Sequence, residues 1–276
     1  MISTGKTDNP AARLFLSLVL LLFLAGGCAK KPWQEDLGPD RGKAVEQVFR
    51  RMQQRDAACL PCLDGNAVMS MKNHLETRSL SGYIQTMLPD SIKFIASNPL
   101  GQPLFAVTTD GLDFTTLNTS KRTAMSGRLA SYALLHDIPP AFFSGSWGEW
   151  LTGRIDQGRQ ESLSFRADGE GRGTWVSFST TLGGNETTTH LLVDIDQSLL
   201  LTRILEDGKG RILAEITYGE WEEVGGCRQP AQITMRQLAF GGEISLGLTD
   251  LQANETCRER DFVLPIPAGF TRRLLP

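Results

Sequence analysis

Five cysteines and three histidines are the residues of this 276-residue sequence best suited to nucleophilic, redox or metal chemistry, and their spacing limits what they can do. Cys59-Leu60-Pro61-Cys62 is a C-x-x-C, the spacing of dithiol oxidoreductases, in which one thiolate attacks and the other resolves. That chemistry belongs next to a βαβ pattern, whereas strand after strand follows here, so we favour structural bonding for this pair. His74, His136 and His190 are far apart and no ligand partner is spaced for any of them. Each reads as a surface or satisfied structural residue, and no metal site is expected. The chain carries no G-x-S-x-G, Walker loop or dinucleotide fingerprint. Gly169-Glu170-Gly171-Arg172-Gly173 joins two predicted strands and opens no helix, so it lacks the helix N-terminus that holds a phosphate. With no catalytic constellation, the expectation is a protein that is not an enzyme.

Hydrophobic residues make up 41% and charged residues 21%, a globular composition. The 28 basic and 31 acidic residues leave a net charge of -3, without the basic excess of a nucleic-acid binder. Apolar residues are concentrated near the start. Leu14 to Leu24 reads LFLSLVLLLFL behind Lys6 and Arg13, too short for a bilayer span of about 20 residues and suited to a signal-peptide core. It runs into Leu24-Ala25-Gly26-Gly27-Cys28, which resembles the lipobox of bacterial lipoproteins, with Ala25 where that pattern prefers leucine. The resemblance implies a signal peptide over 1–27 and a mature chain beginning at Cys28. Covalent lipid on Cys28 is then the one attached group, and more than one acyl chain is needed for a firm anchor. Lipoproteins kept in the inner membrane carry aspartate after this cysteine; Ala29 and Lys30 stand here instead. The expected location is the inner leaflet of the outer membrane of a Gram-negative bacterium, facing the periplasm.

Cysteines pair by default in that oxidising compartment. Of the three pairings open to Cys59, Cys62, Cys227 and Cys257, we favour Cys59 with Cys62 and Cys227 with Cys257, each the nearer in sequence.

Residues 28–40 hold two prolines and mixed charges and read as a tether. From Arg41, Val45, Val48, Phe49 and Met52 recur at helical spacing, giving an amphipathic helix that fades before Pro61. Strand patterns follow over 65–73, 79–88, 91–97, 103–109 and 112–118, then over 161–167, 173–181, 187–196, 199–207, 211–221, 230–239 and 242–253. About twelve closely spaced strands predict a mainly β (α+β) fold, an antiparallel sheet that is strongly curved or barrel-like. Between the two runs, 127–136 suits a helix, Pro139-Pro140 breaks it, and Trp147, Trp150 and Leu151 fall on a second short helix, so 127–153 is the candidate lid. Leu80, Gly82, Ile84 and Leu88 share one strand face and Leu104 and Ala106 another, while Tyr83, Phe105 and Val107 occupy the opposite faces. Apolar residues on both faces call for a cover or a ligand, because a water-facing sheet alternates cleanly.

Asn98-Pro99-Leu100-Gly101 has the residue preferences of a type I turn. Its apex is a leucine, where a polar or small residue is usual. Leu100 either folds back onto the protein or stands out as a prong for lipid or an apolar partner.

From Ser91 to Arg154 the chain resembles the outer-membrane lipoprotein receptors of the LolB family. A strand runs into Asn98-Pro99-Leu100-Gly101, two more strands and a helix follow, and a proline-containing break precedes Trp150-Leu151 and Gly153. The likeness extends over about 65–253, closing on Ile244-Ser245-Leu246-Gly247-Leu248. The chain exceeds the pattern at both ends: the C-x-x-C lies in the added N-terminal stretch, and a C-terminal extension covers about 255–276. What the resemblance implies is an incomplete barrel with a helical lid over an apolar cavity, within one domain over 41–276. It also implies a monomeric receptor that takes acylated lipoproteins from a LolA-like periplasmic carrier and passes them to outer-membrane lipid, with Leu100 as the membrane-inserting residue. Cavity candidates, chosen from strand faces, are Leu80, Ile84, Phe94, Leu104, Phe114, Trp175 and Phe178; Trp147 and Trp150 are candidates to close the lid. The alternative is an envelope structural or assembly lipoprotein using the same sheet for a protein or another apolar ligand.

Overall fold

The computed structural model describes residues 31–73, 76–136, 138, 147–155, 158, 162–182, 185–236, 238 and 241–276. The Cys28 assignment and His74 lie outside them. The first helix, α1 (Pro39–Ala58), begins two residues before the predicted Arg41, with proline in its first turn, where a missing N–H costs nothing. Asp40 in the first turn and Arg55 in the last complement the helix dipole. Val45, Phe49 and Met52 fall on one stripe and are buried, each contributing about 1.5–3 kcal/mol of apolar burial.

All strands among the described residues belong to a single sheet. In chain order they are β1 (Trp33–Asp36), β2 (Cys62–Lys72), β3 (Thr77–Met87), β4 (Ser91–Ser97), β5 (Pro103–Thr109), β6 (Asp113–Asn118), β7 (Thr123–Arg128) and β8 (Ser164–Asp168). After these come β9 (Thr174–Leu182), β10 (Asn185–Asp194), β11 (Leu199–Asp207), β12 (Ile212–Val224), β13 (Cys227–Arg236), β14 (Glu243–Asn254) and β15 (Thr271–Leu274). Their spatial order is β1-β8-β9-β10-β11-β12-β13-β14-β2-β3-β4-β5-β6-β7-β15. Neighbours are antiparallel except β7 and β15. The border strands do not pair with each other, so the barrel is incomplete. The sheet has 15 strands where about twelve were predicted, the additions being β1, β7 and β15. β1 and the start of α1 lie within the supposed tether, and β7 takes up the first two residues of the predicted 127–136 helix. That helix is therefore α2 (Leu129–Leu135), and the second lid helix is α3 (Trp147–Thr152).

Register defines two faces. Ala67, Gly82 and Ala96 lie in one cross-strand row, and Ile84, Phe94 and Val107 in the next. These residues face α1 and α3, and Phe49, Trp150, Ile216, Ile233 and Leu246 join them in one core. Gly82 has no substitute here, because a Cβ would meet the Ile95 carbonyl oxygen at 2.1 Å.

Two apolar patches of the outer face are covered by the ends of the chain. Ile95, Ala106, Leu117 and Ala124 pack under Leu264, Ile266 and Phe270 of the C-terminal extension. Trp175, Leu192 and Ile204 pack under Trp33. At these two patches the apolar outer face reflects self-covering and requires no ligand, whereas Tyr83 and Leu104 remain exposed.

The disulfides differ from the favoured pairing. Cys59 is bonded to Cys227, and Cys62 to Cys257. Cys62 opens β2 opposite Asn254, the last residue of β14, which brings Cys257 to it; Cys59 closes α1 beside the start of β13. The C-x-x-C is therefore two staples, joining the end of α1 and the start of β2 to the same end of the sheet.

Candidate functional site

The turn after β4 is built by its asparagine. Asn98 Oδ1 accepts hydrogen bonds from the backbone N–H of Leu100 at 3.0 Å and of Gln102 at 2.9 Å, while the Asn98 carbonyl accepts from Gly101 N–H at 2.9 Å. Gly101 has φ +77°, open to glycine at little cost. With the backbone so held, the Leu100 side chain is 83% exposed. Of the two outcomes left open for this residue, the structure shows the projecting one.

At the same end of the sheet, where β2 turns into β3 and β14 begins, a cavity of about 460 Å³ opens. Met69, Met71, Leu80 and Ile244 supply its apolar lining. All four face inward, because Met69 pairs with Leu80 and Ile244 with Met71. Methionine suits a site that must adapt to a flexible apolar guest, since its unbranched thioether changes shape cheaply. At the rim, Arg78 pairs with Glu76 at 2.9 Å, and Glu243 pairs with the neighbouring Arg236 at 2.7 Å.

The opposite end of the inner face is plugged. Gly148 N–H of α3 bonds to the Pro89 carbonyl at 2.8 Å, and Gln229 Nε2 donates to the Leu151 carbonyl at 3.2 Å. Just beyond α3, Arg203 donates to the Arg154 carbonyl and Arg154 to the Leu60 carbonyl, both at 2.7 Å, while Asp56 accepts from Ile155 N–H at 3.1 Å. Burial raises the Asp56 carboxyl above the ordinary range, against the pull of Arg55 and Arg154, and burial lowers Arg154. This network escaped sequence reasoning, because a lone arginine in a strand or after a helix has no pattern that distinguishes burial from a solvated surface.

The predicted cavity residues separate by face. Leu80 lines the cavity, and Ile84 and Phe94 are buried deeper in the same core, with Phe178 partly buried against it. Phe114 also faces inward and meets Tyr132 of α2 edge-on, ring centroids 5.2 Å apart. Leu104 and Trp175 do not belong with them. Leu104 is on the outer face and 38% exposed, and Trp175 is buried beneath Trp33. Neighbours Phe105 and Val176 take the inward places, since consecutive strand residues alternate sides. Trp147 and Trp150 lie 5.1 Å apart, and Trp150 and Leu151 belong to the inner core. Among the described residues, no group of three or more His, Cys, Asp or Glu is placed to hold a metal ion.

A known structure shares this architecture. A DUF1329 family protein from Desulfovibrio piger superposes with a TM-score of 0.51 at 13% identity, over 80% of this chain and 96% of its own. The likeness is one of fold. A LolA superfamily protein from Nitrosomonas europaea (TM-score 0.48, 13% identity, 78% of this chain and 97% of its own) also resembles it. So does a lipoprotein-sorting protein domain, named as outer-membrane, from Vibrio parahaemolyticus (0.46, 13%, 82% and 97%). No protein-family model matches the chain, and no curated protein matches it.

Proposed function

We propose that this protein is an outer-membrane-anchored receptor that accepts acylated lipoproteins from a LolA-like periplasmic carrier and inserts them into the membrane. The observation that carries the reading is the placing of Leu100, 83% exposed, at the same end of the sheet as the apolar cavity of Met69, Met71, Leu80 and Ile244. One element is suited to enter lipid and the other to take up an acyl chain, and an apolar guest could pass between them along one end of the barrel. No chemistry is needed. Transfer follows the gain in apolar burial from carrier to cavity to bilayer, at about 0.8 kcal/mol for each buried CH2. Lipid on Cys28 anchors the chain, and the protein acts as a monomer.

The test uses the mature chain with Cys28→Ala, mixed with one lipoprotein in acylated and non-acylated forms. Selective recovery of the acylated form is expected. Equal recovery of both would favour a protein-binding envelope role, for which the larger cavity of about 750 Å³ between Asp90, Leu112 and Val263 at the far end offers a seat.

A further inference from the structure

At the Leu100 end of the sheet, two neighbouring turns are tied into one corner. Thr119, in the turn between β6 and β7, donates its N–H to the Leu104 carbonyl at 3.1 Å, and its hydroxyl oxygen lies 2.6 and 2.9 Å from the carbonyls of Pro103 and Leu104. Thr271 N–H bonds to the Arg122 carbonyl at 2.9 Å, which brings the start of β15 alongside. Leu100 is 83% exposed at the tip of its hairpin, and Leu104, on the outer face of the same hairpin, is 38% exposed. Apolar surface is thus offered by the flank of the hairpin as well as by its tip.

Charge is unevenly placed around this corner. The chain as a whole has a net charge of -3, yet residues 91–109, 114–136 and 262–276, which hold both turns and β15, contain no Asp or Glu. Lys121 and Arg122 stand in the second turn and Arg272 and Arg273 follow Thr271, all four exposed. Among the described residues none of the four is in an ion pair, whereas Arg78, Arg211 and Arg236 at the same end are held by Glu76, Asp207 and Glu243. Arg272 Nη2 reaches only the Ile266 carbonyl, at 3.4 Å. The far end of the sheet has the opposite sign, with Asp90, Asp110, Asp113 and Glu259 around its cavity and Arg260 as the one cation in the described lining. Unpaired cations beside exposed leucines match a surface that sets acyl chains beneath a layer of phosphates, where each basic residue strengthens binding about fivefold.

We infer that Leu100 and Leu104 with Lys121, Arg122, Arg272 and Arg273 form one membrane-docking corner, the leucines entering the acyl layer and the cations taking the phosphates of anionic phospholipid headgroups. This deepens the membrane role given to Leu100 above and rests on it. In the test, the mature chain with Cys28→Ala is titrated with phosphatidylcholine vesicles, pure or mixed with phosphatidylglycerol, and binding is read by co-sedimentation. Phosphatidylglycerol is expected to strengthen binding of this parent at least tenfold. K121Q/R122Q and R272Q/R273Q should each lose at least tenfold on the mixed vesicles, while binding to pure phosphatidylcholine stays within twofold and the melting temperature is unchanged. K43Q/R51Q removes the same charge from exposed positions on α1 and should stay within twofold on both. No gain from phosphatidylglycerol, or an equal loss in the α1 control and the corner variants, would overturn the inference and leave the corner to an acidic protein partner. Selection of acylated over non-acylated lipoprotein, measured without vesicles, should be the same in all variants. Its failure in the parent would overturn the receptor reading and leave the lipid preference standing.

Discussion

Cys59 is joined to Cys227, 168 residues away, and not to Cys62, which is three residues away. Helix α1 ends at Ala58, Cys59 caps it, and the chain turns into β2 at Cys62, so each cysteine meets a different partner at that end of the sheet. Non-reducing peptide mapping should recover 59–227 and 62–257 linkages. Removing the first bond with C59A/C227A should lower the unfolding free energy by about 2–5 kcal/mol, read by denaturant titration, because so long a loop is otherwise free in the unfolded chain.

Leu100→Glu should leave stability within about 0.5 kcal/mol of the parent, since the side chain touches almost nothing. Acylated lipoprotein should still be bound. Delivery to vesicles should fall at least tenfold, and normal delivery by this variant would remove the membrane role assigned to the turn.

Met71→Glu and Phe94→Ala separate binding from folding. Met71 is 48% exposed at the cavity, so its change should weaken binding of a fluorescent fatty acid by tenfold or more with little change in melting temperature. Phe94 is 2% exposed in the core, and truncation should cost about 3–5 kcal/mol.

His190, stacked under Trp33 of β1, makes stability depend on pH. Burial holds its imidazole below the ordinary value of 6.5, outweighing the opposite pull of Glu206, while Lys31 and Arg166 add to the lowering. The unfolded chain then takes up the proton first. Stability should be level above about pH 7 and decline as pH falls through 6.5 toward the folded value, by proton linkage. Urea titrations of the wild type and of His190→Gln should differ in slope across this window, with the variant the flatter.

Helix α1 was legible because Val45, Phe49 and Met52 repeat at its own period, and the inward set Leu80, Ile84 and Phe94 because β3 and β4 keep theirs. Parity failed at Leu104 and Trp175, where both strand faces carry apolar residues. Which face is inner depends there on what covers the other, and the covers, Trp33 and the segment from Leu264 to Phe270, lie far away in the chain. β1 and β15 were illegible for a related reason. Trp-Gln-Glu-Asp and Thr-Arg-Arg-Leu have no strand signature of their own, and each is extended because it pairs with a neighbouring strand distant in sequence. The cysteine pairing needed a fold to bring strand ends together, which nearness in sequence does not supply.

Because the sheet is open, it has two borders, and each is only four residues long. A long unpaired edge is a template onto which another copy can add, the first step of aggregation. Here the edges of β8 and β7 that would otherwise have been exposed are each capped by a short segment from one terminus, with Asp36 paired to Arg166 on one border and Arg272 and Arg273 on the other. Deleting either terminal segment would therefore bare a sticky edge as well as an apolar patch, and self-association should be the first symptom of truncation.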